Sequence, residues 1–150
     1  MDIAIIIFLF GGLFLGWSLG ANDAANVFGT AVGTRMIRFK TAAIVCSIFI
    51  ILGAIISGAG TTETLGKLGS INALPGAFAA CVAAGLSVYL MTKFGLPVST
   101  TQAIVGAIVG WNIYTGSPTN MKVLITILGT WVLCPIIAGL IAMFFYILIA

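Results

Sequence analysis

Apolar residues run in long stretches rather than at helical or strand spacing, at 3–21, 41–57, 74–92 and 122–150. Runs of about 17–25 apolar residues have the length of a helix that crosses a lipid bilayer. Four spanning helices are therefore predicted. The last run is longer than one crossing needs and carries Pro135, which predicts a tilt or a kink. Between the third and fourth runs, residues 95–114 are apolar but broken by Pro97 and by Ser99, Thr100 and Thr101. Irregular backbone at membrane depth is tolerated only against protein or a watery cavity. This stretch is read as a re-entrant helical hairpin that returns to the side it came from.

Composition supports the same class, an all-α integral membrane fold forming a single membrane domain over residues 1–150. With 61% hydrophobic and 6% charged residues, the chain lacks the polar skin that a water-soluble domain needs. The first run is too long for a secretory leader and has no basic start or small-residue cleavage pattern. The six basic residues sit at the ends of apolar runs, where they report orientation and not a nucleic-acid partner. With the N-terminus outside, Arg35, Arg38, Lys40 and Lys93 fall inside, and a re-entrant 95–114 adds Lys122, against Lys67 outside. Cys46, Cys81 and Cys134 are widely spaced and the chain has no His, so they are read as small buried apolar residues. The lack of His, of paired intramembrane acids and of a nucleotide fingerprint argues against an enzyme.

Two segments carry chemistry. In Gly20-Ala21-Asn22-Asp23-Ala24-Ala25-Asn26, Ser18, Asn22, Asn26, Thr30 and Thr34 recur every four residues, which places them on one helix face. A polar seam between helices would explain the Asn and Thr residues. It would not explain Asp23, because a carboxylate at membrane depth is expensive. In Gly95-Leu96-Pro97-Val98-Ser99-Thr100-Thr101-Gln102, Pro97 ends any preceding helix and Ser99 with Gln102 forms a capping-box pattern. A helix is expected to start at Thr100, and its free N–H groups and hydroxyls make an anion site that needs no Lys or Arg. Gly29 with Gly33, and Gly106 with Gly110, are expected to bring helix backbones together. Glu63, in Thr61-Thr62-Glu63-Thr64, is placed at the outer mouth.

These segments resemble the paired signatures of the inorganic phosphate transporter (PiT) family of sodium- or proton-coupled permeases. Residues 20–26 are similar to its G-A-N-D-x-A-N motif, continued by Phe28, Gly29 and Thr30, and residues 97–101 to its P-V-S-T-T motif, continued by 104–107. The resemblance implies a secondary transporter of two inverted repeats, of which this chain is one, the N-terminal repeat. It implies that Asn22, Asp23 and Asn26 bind the cation, and that Asn22, Asn26, Ser99, Thr100, Thr101 and Gln102 contact inorganic phosphate. Gln102 stands where the family often has His, which favours sodium over a proton as the coupling ion. No cofactor is implied beyond that ion. Phosphate and an ionised Asp23 at about 4 Å repel by several kcal/mol at low dielectric, so a sodium ion, or a proton on Asp23, must lie between them. Only one copy of each motif is present, and the chain is expected to be a truncated fragment or a half that pairs with another. Sulfate or another oxyanion as substrate, an ion channel, and a non-transporting membrane subunit are the alternative functions.

Overall fold

A computed structural model describes residues 3–69, 71 and 74–149. They form five helices: α1 (Ile3–Gly33), α2 (Phe39–Leu68), α3 (Leu74–Lys93), α4 (Thr100–Thr115) and α5 (Met121–Ile149). Among the described residues all regular secondary structure is helical. α1, α2, α3 and α5 are long and apolar enough to cross a membrane, as the apolar runs predict. The fourth run's last residue, Ala150, lies outside the described residues.

Local chemistry fixes the helix ends. α4 starts at Thr100 because Ser99 caps it, its Oγ accepting the Gln102 N–H at 3.3 Å. α3 stops at Gly95, whose φ of 67° is left-handed. There the Leu96 N–H donates to Met91 O at 2.9 Å and the Gly95 N–H to Thr92 O at 3.0 Å, a Schellman motif that satisfies the last carbonyls. Pro97 follows and cannot continue the helix. α4 ends the same way at Gly116 (φ 68°). α1 does so at Arg35 (φ 61°), where a Cβ makes the left-handed turn costly.

Close contacts between helices set their directions. On α1 and α3, Phe8 meets Phe78 and Trp17 meets Tyr89, with ring centroids 5.8 and 5.7 Å apart. A Cβ on Gly85 would sit 2.8 Å from the Phe14 ring. The two helices therefore run parallel, side by side. A Cβ on Gly76, near the start of α3, would sit 2.8 Å from the Trp111 ring, near the end of α4. α3 and α4 are thus the two arms of an antiparallel hairpin. α2 returns along α1 and ends where α4 ends: Leu68 is fully buried with Val105 and Ile108 of α4, and the Asn120 N–H donates to Leu68 O at 3.0 Å. α5 starts there and contributes no buried residue.

The hairpin thus begins earlier than residue 95. Its outgoing arm is the third apolar run itself, so residues 116–121 return to the end of the bundle that holds the start of α3. Lys122 consequently lies at the same end as Lys67, not with Arg35, Arg38 and Lys40. The two ends of the described chain also face opposite ways. α3 qualifies as a span by length and composition like α1, α2 and α5, but α4 runs back along it, so the pair makes no net passage along the bundle. The tip meets α1 at Asn22, eleven residues before Gly33, or about 16 Å short of that end of the helix at 1.5 Å per residue. The tip therefore stops short of the end of α1 that leads to α2.

Three smaller expectations also change. Glycines at close helix contacts include Gly11, Gly76 and Gly85, whereas a Cβ at Gly29, Gly33, Gly106 or Gly110 would meet nothing within 4 Å. Spacing alone does not say which face meets a neighbour. The second apolar element does not stop at residue 57, because α2 runs on to Leu68 and takes in Glu63, which pairs with Lys67 one turn along. Cys46 and Cys81 are half-buried, but Cys134 faces outward on α5.

The chain directions give a direct test. Single cysteines introduced as Lys67→Cys and Lys122→Cys should react with an impermeant thiol reagent from one side of sealed vesicles, and Arg38→Cys from the other. Labelling of Lys122→Cys and Arg38→Cys from the same side would contradict the hairpin.

Candidate functional site

The polar face of α1 divides in two. Ser18 and Asn22 are buried and Asp23 is half-buried, because this part of the helix lies against α3 and the hairpin tip. Thr30 and Thr34 lie beyond the tip and are exposed, with the Thr34 hydroxyl donating to Thr30 O at 2.8 Å. Four-residue spacing placed all of these on one face. The height of the hairpin decides which of them meet another element.

Asn22 holds the tip. Its Nδ2 donates to Val98 O at 2.9 Å and to Asp23 Oδ1 at 2.9 Å, and its Oδ1 accepts from the Thr92 hydroxyl at 3.3 Å. One side chain thereby ties the last turn of α3, the bend and its own neighbour together. The other oxygen of Asp23 accepts from the Thr100 hydroxyl at 3.1 Å, joining α1 to the first residue of α4. Thr92 and the Val98 carbonyl were not foreseen from the sequence. A Thr at the end of an apolar run carries no distinguishing signal, and a backbone carbonyl carries none.

Around these bonds lies an open hollow of about 490 Å³ lined by Asp23, Asn26, Pro97, Val98, Ser99, Thr100 and Thr101. Five of the six residues expected to contact an anion are thus at the site, four lining the hollow and Asn22 bracing its wall. Gln102 is different. Its backbone N–H binds Ser99, and its exposed side chain does not line the hollow.

The hollow carries two opposite electrostatic features. The N-terminus of α4 offers unpaired N–H groups, two hydroxyls and the positive end of a helix dipole, all suited to an oxyanion. Asp23 offers a carboxylate with no ion pair among the described residues. Its oxygens, the Asn26 amide oxygen and the hydroxyls form a hard, all-oxygen donor set of the kind that suits a small cation such as sodium.

Residues 19–150 match the sequence profile of the phosphate transporter family. The chain belongs to this family. A protein of Thermococcus kodakarensis named as a candidate phosphate permease is 38% identical over 95% of this chain, and one of Haemophilus influenzae is 35% identical over 87%. A solved structure titled the sodium-dependent phosphate transporter superposes with a TM-score of 0.78, at 31% identity over 93% of this chain. The chain spans 37% of the length of the Thermococcus protein and 37% of the solved structure's chain. Membership of the phosphate transporter family agrees with the reading of a multi-pass membrane protein that is not an enzyme.

Asn22 and Ser18 make contrasting tests of the geometry. Asn22→Leu removes every bond that Asn22 makes to the hairpin and leaves the Val98 carbonyl without its partner. It should destabilise the fold by about 1–3 kcal/mol, read as lower thermal stability in detergent. The Ser18 hydroxyl is buried and unpaired, so Ser18→Ala should leave stability unchanged or raise it. The reverse ranking would show that the tip is held by something else.

Proposed function

We propose that this chain is the N-terminal repeat of a cation-coupled symporter of inorganic phosphate, supplying half of a central site. The observation that carries this reading is the sharing of one hollow by Asp23 and the N-terminus of α4, joined by the Thr100–Asp23 hydrogen bond of 3.1 Å. A helix N-terminus attracts an oxyanion, while an adjacent carboxylate repels it by several kcal/mol at low dielectric. The two features are compatible only when a cation accompanies the anion.

In this mechanism Ser99, Thr100 and Thr101 hold phosphate oxygens through hydroxyls and the backbone N–H groups of the first turn. Asp23 and Asn26 hold the sodium ion, or Asp23 takes a proton instead. Asn22 acts by orienting Asp23 and pinning the tip. Discontinuous helices with anion-facing N-termini are a general construction for secondary transporters. Symport follows because each ion lowers the electrostatic cost of the other.

The proposed orientation keeps the N-terminus outside and the loop between α1 and α2, with Arg35, Arg38 and Lys40, inside. Lys67 and Lys122 then lie outside with Glu63, so the basic asymmetry is narrower than a count based on four crossings. The remaining donors around phosphate come from a second repeat, which belongs to the length of the family proteins that this chain does not span.

Asp23→Asn keeps the shape but removes the charge, so it should lower cation-driven phosphate uptake into proteoliposomes at least a hundredfold while membrane insertion is retained. Uptake at the normal rate would rule out the role given to Asp23. Ser99→Ala combined with Thr100→Val should weaken phosphate binding tenfold or more and sodium binding much less, measured by calorimetry. Equal losses for both ions would make the hairpin tip purely structural. Residues 1–150 expressed alone should insert but fail to transport phosphate, and robust uptake by that chain would contradict the half-site.

A further inference from the structure

α1 also faces α2, and that face shares no residue with the hollow at the hairpin tip. It borders a groove against α2 of about 490 Å³, lined along α1 by small residues such as Ala24, Gly29 and Gly33 with Phe28, and along α2 by Ala42 and Cys46. Every lining residue is Gly, Ala, Val, Phe or Cys. A Cβ at Gly20, Gly29 or Gly33 would meet nothing within 4 Å. The gap is therefore real space between the helices and not a close glycine contact.

The rim at one end of this groove is cationic. Arg35 follows Gly33 by two residues, and Arg38 and Lys40 flank Phe39, which itself lines the groove. All three basic side chains are exposed. The acids among the described residues are engaged elsewhere: Asp23 with Thr100 and Asn22, Glu63 with Lys67. Arg38 is also the N-cap of α2 and gives its first turn no side-chain cap, so unpaired N–H groups and the positive end of a second helix dipole face the same rim.

We propose that the groove between α1 and α2 binds one acyl chain of an anionic glycerophospholipid, whose headgroup phosphate is held by Arg35, Arg38 and Lys40. The charge pattern selects this occupant: apolar along the length and basic at one end is the complement of an anionic lipid. The dimensions agree. From Gly20 to Gly33 is about 20 Å of helix, comparable with one leaflet of a hydrocarbon layer of about 30 Å. Guanidinium groups bind phosphate oxygens in pairs, and basic pockets between membrane helices are a recurrent form of lipid headgroup site. This site is independent of the phosphate-transport reading, since it shares no residue with the hollow at the hairpin tip.

Native mass spectrometry of the purified protein, with phosphatidylglycerol or phosphatidylcholine of identical acyl chains added in detergent, tests it. Phosphatidylglycerol should be retained at least tenfold more than phosphatidylcholine. That preference should fall about tenfold in the triple variant Arg35→Gln, Arg38→Gln and Lys40→Gln. Gly29→Leu with Gly33→Leu, which fills the groove where there is open space, should lower retention by a similar factor. Equal retention of the two lipids would overturn the proposal. So would loss on charge removal with full retention on groove filling, which would leave only surface electrostatics. In the unaltered protein, a phosphatidylglycerol with a photoreactive acyl chain should cross-link to residues 20–33 and 39–46. Cross-links confined to other segments would overturn the proposal even if a variant failed to fold, and would give the groove to a protein segment instead.

Discussion

A chain that turns back at membrane depth must satisfy its bend without water, since each unpaired backbone group in that setting costs several kcal/mol. Asn22 meets much of this constraint. Its amide reaches the Val98 carbonyl in the bend, the Thr92 hydroxyl in the last turn of α3 and the Asp23 carboxylate beside it. The Schellman turn at Gly95 closes the last carbonyls of α3, and Ser99 closes an N–H of α4. The first-turn N–H groups of α4 have no helical partner of their own, and Thr100 and Thr101, which carry them, line the hollow.

The same constraint explains the packing. Between helices in lipid there is little hydrophobic drive, so close contact must come from shape. Gly11, Gly76 and Gly85 admit the rings of Phe78, Trp111 and Phe14 into space that a methyl group would fill. These contacts hold α1, α3 and α4 side by side at fixed heights. Height matters here, because a one-turn slip of about 5.4 Å would carry Asp23 away from Thr100.

Much of this was legible in the sequence, for local reasons. The start of α4 at Thr100 and the bend after Gly95 each rest on residues within a few positions of one another, whereas the joining of Asp23 to Thr100 spans 77 residues and was suggested only by the family resemblance. The direction of the hairpin was not legible. Residues 74–92 are as apolar as a spanning helix, and nothing local distinguishes a crossing arm from one that is matched by a returning partner. The sides assigned to Lys93 and Lys122 depended on that choice, and Lys122 moved with it. The paired glycines of α1 and α4 failed for a related reason, since a four-residue period names a face but not its neighbour. Thr92 carried no signal because its role depends on a partner seventy residues away.

Because the hairpin goes out and back, the described helices make an odd number of net passages along the bundle and finish at opposite ends of it. Parity of this kind has an evolutionary consequence. If a gene encoding such a unit is copied head to tail, ordinary threading through the membrane delivers the second copy upside down. Antiparallel symmetry, and with it two sites facing each other from opposite leaflets, then needs no separate origin. It would be inherited from the arithmetic of the first copy.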